Sequence, residues 1–179
     1  DFSLDPTGVT LLDYVKSAGL ECVAVGKIEY IFNGRGIPRS IHTESNFDGL
    51  NKTIEIAKER FDGLVFVNLV DTDMKYGHRR DVFGYAEALE EIDGKVGELI
   101  KLLRHDDVLY ITGDHGCDPT HKLHTDHTRE YTPLLIYGCD IVPTNLGTLK
   151  GFDVISDTIK DQLGIASSPV KSVWEKVTR

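Results

Sequence analysis

Residues 112–131 read TGDHGCDPTHKLHTDHTREY, with four histidines and four carboxylates in twenty residues. Asp114 and His115 stand side by side at the front of this run, and His127 follows a short loop later. Hard oxygen and borderline nitrogen donors in one place suit Mn²⁺, Zn²⁺ or Fe²⁺ better than Ca²⁺ or Mg²⁺. A lone Asp-His pair on a polar loop says little, but residues 71–80, DTDMKYGHRR, put Asp73 and His78 on a second such loop. Asp73 and His78, with His127 from the first run, make a three-ligand set for one ion. Asp114 and His115 supply two ligands for a neighbouring ion. Two cations ~4 Å apart activate an attacking oxygen and stabilise charge on a transferring phosphoryl group.

Other polar residues nearby read more plainly. Asp71 and Asp118 serve equally well as capping or turn residues, His121 and His124 as solvent-facing loop positions, and His42 and His105 as surface positions. Arg79 and Arg80 are either phosphate contacts or solvated, carboxylate-paired side chains. Lys27, beside Gly26 at the end of an apolar run, is a candidate phosphate contact. The chain contains no GxxxxGKS/T, HExxH or GxSxG string. P-loop, zinc-protease and hydrolase-elbow chemistry therefore have no support.

Each of the two clusters follows an apolar run, 64–70 and 108–112, that reads as a buried strand. Further strands are expected at 22–25 and 133–137. Helices are expected over 7–18, with Thr10 and Asp13 as a capping box, and from Ser45 or Asn46 to about Phe61. The longest, over 81–104, carries the stripe Val82, Tyr85, Leu89, Ile92, Val96, Leu99 and Leu103. A fourth is expected over 152–163, with a break at 167–169 and Trp174 packing on the body. Residues 28–36 read as a turn-rich connection and 37–45 as polar loop. Strands alternating with helices predict an α/β fold with a largely parallel sheet and helices on both faces. In such sheets ligands gather at the carboxyl ends of the strands, where both clusters fall.

Length, 179 residues, fits one domain with a real core. A net charge of −9 argues against a nucleic-acid surface, and no apolar run reaches the ~18 residues of a membrane span. The three cysteines, Cys22, Cys117 and Cys139, are widely spaced, so a disulfide framework is not expected and a reducing, cytoplasmic setting is. The chain opens on Asp1 without an initiator Met, as expected of a chain cut from something longer.

The segments 25–36 (VGKIEYIFNGRG), 68–80 (NLVDTDMKYGHRR), 113–120 (GDHGCDPT) and 125–130 (TDHTRE) closely resemble the phosphopentomutase family, dimanganese enzymes of the alkaline phosphatase superfamily. The resemblance runs in register from about residue 1 to about residue 165. It implies an alkaline-phosphatase-like core, of which residues 1–179 form a single α/β segment, the second half. It implies interconversion of ribose or deoxyribose 1-phosphate with the 5-phosphate through a phosphothreonine and two Mn²⁺. By motif, Asp73, His78 and His127 would hold one ion, Asp114 and His115 the other, and Lys27 would face the pentose phosphate.

The family's nucleophilic Thr, one further Asp ligand and its cap domain have no counterpart here, so the isolated chain is expected not to turn over. Its partner would be that missing N-terminal core and cap of the same protein. Gly113 stands where the family more often has Ala, and residues 121–124 replace a shorter, Gly-containing link. A related phosphatase, phosphodiesterase or phosphoglycerate mutase, or a non-catalytic metal-binding module, are the competing expectations.

Overall fold

Thr10 starts the first helix by a reciprocal cap. Its hydroxyl accepts from the Asp13 amide at 3.3 Å, while the Asp13 carboxylate accepts from the Thr10 amide at 2.8 Å. Such a cap contributes ~1 kcal/mol. The structure, a computed structural model, describes residues 3–165 and 171–178. Because the cap fixes the start, helix α1 (Leu11–Ser17) is shorter than its apolar spacing suggests. Leu12 and Val15 of α1 are fully buried with Cys22 of strand β1 (Glu21–Val25), four of whose five residues are covered. Each such aliphatic side chain contributes roughly 1.5–3 kcal/mol by leaving water.

Strand β2 (Arg39–Ile41) pairs parallel to β1, with Val23 opposite Arg39, and strand β3 (Gly63–Val67) completes the order β2-β1-β3. Gly63 permits the close approach of β3 to β1, since a Cβ there would lie 2.0 Å from the Glu21 carbonyl oxygen. The polar stretch 37–45 therefore holds a strand that was not expected. A three-residue strand with only one aliphatic residue leaves no alternating pattern. A short helix, α2 (Ile28–Ile31), likewise occupies part of the expected turn region. Helix α5 (Asp153–Gln162) packs on α1, and α6 (Trp174–Val177), with Trp174 half-buried, packs on α5. The break expected at 167–169 lies outside the described residues. These elements form one compact unit, Asp1–Ile41, Arg60–Phe66 and Asp140–Arg179.

The second unit comprises His42–Glu59 and Val67–Cys139. Ser45 caps helix α3 (Asn46–Ile56), accepting from the Asp48 amide at 3.1 Å. Helix α4 (Val82–Ile100) starts at Asp81, whose carboxylate accepts from the Gly84 amide at 2.9 Å, and packs against α3. Its buried face runs through Gly84, Ala88 and Leu99, while Val82 and Leu89 of the expected stripe stay exposed. Strand β4 (Val108–Thr112) pairs with β5 (Leu134–Gly138) from Val108↔Gly138 to Thr112↔Leu134.

The α/β class and parallel pairing agree with the sequence reading, but the β4–β5 ladder is antiparallel. Parallel neighbours need a crossover of a dozen or more residues, usually helical, whereas antiparallel ones need no crossover helix. The long connection between β4 and β5 was compatible with either and forms no helix. No helix among the described residues is long and apolar enough to cross a membrane.

Candidate metal centre

Residues 72–77 form a π-helical turn, closed by the i→i+5 bond from the His78 amide to the Asp73 carbonyl at 2.9 Å. In an ordinary helix, positions five apart point about 140° away from each other. The wider turn brings them to one side, so His78 Nε2 lies 3.3 Å from Asp73 Oδ1. π-turns are rare and cluster at functional sites. This one is anchored at its start by Asp71, whose carboxylate accepts from the Asn46 amide and whose own amide donates to Asn46 Oδ1, both at 2.9 Å. Lys75 adds an ion pair to Asp71 at 3.1 Å. Asp71 is thus committed to tying the turn to α3.

Residues 113–131 fold back on themselves. Gly116 and Thr128 form an isolated antiparallel bridge, the Thr128 amide donating to the Gly116 carbonyl at 3.0 Å. The Thr128 hydroxyl accepts from the Asp118 amide at 2.7 Å and donates to Glu130. That return lays the ring of His127 on the ring of His115, with centroids 3.6 Å apart. His127 Nε2 lies 3.3 Å from Asp73 Oδ1, the same oxygen that faces His78. The two loops singled out in the sequence therefore meet through this one carboxylate oxygen.

Asp73 Oδ1 is buried and has no hydrogen-bond partner, although two imidazole nitrogens stand 3.3 Å away. A buried carboxylate oxygen without a donor is expensive, by several kcal/mol when charged, unless a cation satisfies it. Two of the histidines, His78 and His115, have rings fixed by main-chain carbonyls. His78 Nδ1 lies 2.5 Å from the Thr125 carbonyl, and His115 Nδ1 lies 3.1 Å from the Gly116 carbonyl. A carbonyl only accepts, so each Nδ1 carries a proton, which in the neutral ring leaves Nε2 its lone pair for a cation. That is the usual outer-shell arrangement of metal-ligating histidines. Ligand atoms of Asp73, His115 and His127 lie within 4.8 Å of one another, as do those of Asp73, His78 and Cys117. The residues present fit a divalent cation.

Asp114 approaches His115 Nε2 at 3.6 Å with its side chain 79% exposed, and Lys27 is exposed at the start of α2 in the other unit. Asp118 caps its own turn, accepting from the Thr120 amide and hydroxyl. The Thr120 hydroxyl is the main cause holding the Asp118 carboxyl below its usual range. The His127 amide does the same for Asp126. His42, His105 and His124 are exposed, and His121 is half-buried with its ring 4.4 Å from that of His124.

Sequence reasoning overlooked Cys117 and misjudged Arg80. Cys117 sits against Gly77 beside Asp73. Burial pushes its thiol up, the Asp73 carboxylate adding to the effect and Arg80 opposing it. Burial, followed by Cys117 and Asp73, also raises the Tyr85 hydroxyl. Among the described residues Arg80 is paired with no carboxylate. Its guanidinium donates to main-chain carbonyls, a role that leaves no trace in residue type or spacing.

Residues 9–167 match the family model described as Metalloenzyme superfamily. The phosphopentomutases of Alkaliphilus oremlandii and Acetivibrio thermocellus are 53% and 52% identical over 169 residues, 94% of this chain. That of Clostridium kluyveri is 50% identical over the same length. The chain spans 43% of the length of each of these curated relatives. A solved structure, the PH0037 protein of Pyrococcus horikoshii, is similar in fold with a TM-score of 0.55 at 23% identity. That likeness covers 69% of this chain and 34% of that one. The fold is thus consistent with an alkaline-phosphatase-like core, and the cofactor is a metal ion. On a match that covers most of its length, the chain belongs to the Metalloenzyme superfamily.

Proposed function

We propose that this chain is the metal-holding part of a phosphopentomutase, which in the complete protein moves a phosphoryl group between the 1- and 5-positions of ribose or deoxyribose. The observation that carries the reading is the partnerless, buried Asp73 Oδ1 facing His78 and His127, each at 3.3 Å. Identity of 50–53% to phosphopentomutases over 94% of the chain supports the choice of reaction.

Asp73, His78 and His127 would hold one Mn²⁺, and Asp114 with His115 would contribute to a second. When bound, two such cations activate an attacking oxygen and stabilise the charge of the transferring phosphoryl group. The chain's own groups set the stage for this. Thr125 and Gly116 orient His78 and His115 through their Nδ1 protons. The π-turn holds Asp73 toward His78 and His127. With 29 acidic and 20 basic side chains, attraction of a phosphorylated sugar falls to the cations. No threonine of this chain is assigned as nucleophile. Residues 1–179 alone should bind the ion without turnover.

The test is mutase activity of the complete protein on ribose 5-phosphate with Mn²⁺, alongside Asp73→Ala. The substitution should cost more than the ~10–100-fold typical of losing an outer-shell partner. Activity surviving it would sink the proposal, and net release of inorganic phosphate would identify a phosphatase instead.

A further inference from the structure

We propose that Arg80 is a positioning residue of this centre, a clamp that sets the turn carrying His78 against the loop carrying His127. The inference rests on the metal-centre reading and adds to it. Arg80 sits two residues after His78 with φ 56°, the left-handed region that non-glycine residues avoid. That conformation costs of order 1 kcal/mol and persists only where the surroundings hold it. Here it turns the side chain back across both loops.

Nε donates to the His124 carbonyl at 3.1 Å, and one terminal nitrogen donates to the carbonyls of Gly77 and Asp118 at 3.1 and 2.8 Å. The other donates to the carbonyls of His124 and Asp126, the latter at 2.8 Å. A guanidinium has five N–H groups, and these contacts use them all, leaving none for a phosphate. The clamped oxygens bracket the residues that matter. His124 and Asp126 flank Thr125, whose carbonyl fixes the ring of His78, and Asp126 precedes His127. Gly77 adjoins His78 on the other side. One planar fork thereby holds the backbone beside both histidines that face Asp73 Oδ1. Lysine, with three donors on a flexible stem, cannot reproduce it.

The experiment uses the complete protein and its Arg80→Lys variant. Mn²⁺ affinity is measured by calorimetry, and the visible spectrum is recorded at saturating Co²⁺. Far-UV circular dichroism of the metal-free proteins checks folding. The expected result is unchanged secondary structure, Mn²⁺ affinity lower by about 10–100-fold, the range for outer-shell partners, and an altered Co²⁺ spectrum. A role confined to stability would leave that spectrum unmoved. Affinity within twofold of the parent with the same spectrum overturns the proposal.

A second measurement needs no substitution. In the unmutated, metal-free protein the Arg80 Nε–H should exchange with water far more slowly than that of an exposed arginine. Fast exchange also overturns the clamp. A parent protein that binds no Mn²⁺ would instead defeat the metal-centre reading, and the clamp with it.

Discussion

Gly77→Ala should weaken both the fold and the ion. Gly77 is buried, and a Cβ built there would lie 2.6 Å from Cys117 Sγ, 3.3 Å from Cys117 Cβ and 3.0 Å from the Thr72 carbonyl. Comfortable carbon contacts begin near ~3.5 Å, so the turn and Cys117 must separate by about 1 Å. Overpacking of this kind costs ~1–3 kcal/mol, and replacing glycine in a helical turn returns at most ~1. A net loss of about 1–2 kcal/mol should lower the metal-free Tm by several degrees. The centre is less forgiving than the fold, because ligand distances tolerate only about ±0.2 Å. Cys117 lies two residues from His115 and Gly77 adjoins His78, so Mn²⁺ affinity should fall by at least tenfold.

Thermal unfolding with and without Mn²⁺ reads both effects, since an ion bound only to the folded state raises Tm by mass action. Adding Cys117→Ala removes the worst overlap and should restore part of each loss, giving a coupling of at least ~0.5–1 kcal/mol. An unchanged metal-free Tm, or losses that add without coupling, would refute the packing argument.

Two further predictions concern the scaffold. Asn46→Ala leaves the Asp71 amide buried without an acceptor, a loss of ~1–3 kcal/mol partly offset because Asn46 Nδ2 already lacks a partner. The urea midpoint should fall, and Asn46→Asp should fall further at neutral pH by setting a second carboxylate against Asp71. The Thr10 amide is the chief cause holding the Asp13 carboxyl below its usual range, with Arg35 assisting. A depressed folded-state pKa contributes stability that is present above ~3.9 and lost as pH falls toward the folded value. The Tm gap between the protein and Asp13→Asn should therefore be level from about pH 5 to 7 and narrow below about pH 4.

What could be read from the residues divides along physical lines. Strand β4 and the bulk of α4 were legible because an apolar run or a long 3-4 stripe has few alternative explanations. The capping box at Thr10 was legible because both its members are named by side-chain chemistry. Strand β2 was not, being three residues long and stabilised by pairing with β1 rather than by its own pattern. The antiparallel sense of β5 was not, because direction leaves no mark in composition. In the centre, donor types marked Asp73, His78 and His127. The groups that orient His78 and His115 are backbone carbonyls of Thr125 and Gly116, identical in every residue. Arg80 read as either a phosphate contact or a solvated, carboxylate-paired side chain, because charge is visible in sequence and its main-chain acceptors are not.

The π-helical turn also acts as a phase adjuster. Removing one of residues 74–76 would leave the carboxylate and the imidazole four apart on an ordinary helix, still on one side. Everything downstream would nevertheless rotate by about 100°, swinging the guanidinium of residue 80 and the first turn of α4 out of line. The extra residue thus lets the ligand pair and the long helix be aimed independently. Searches that demand a four-residue interval between such donors would pass over centres built this way.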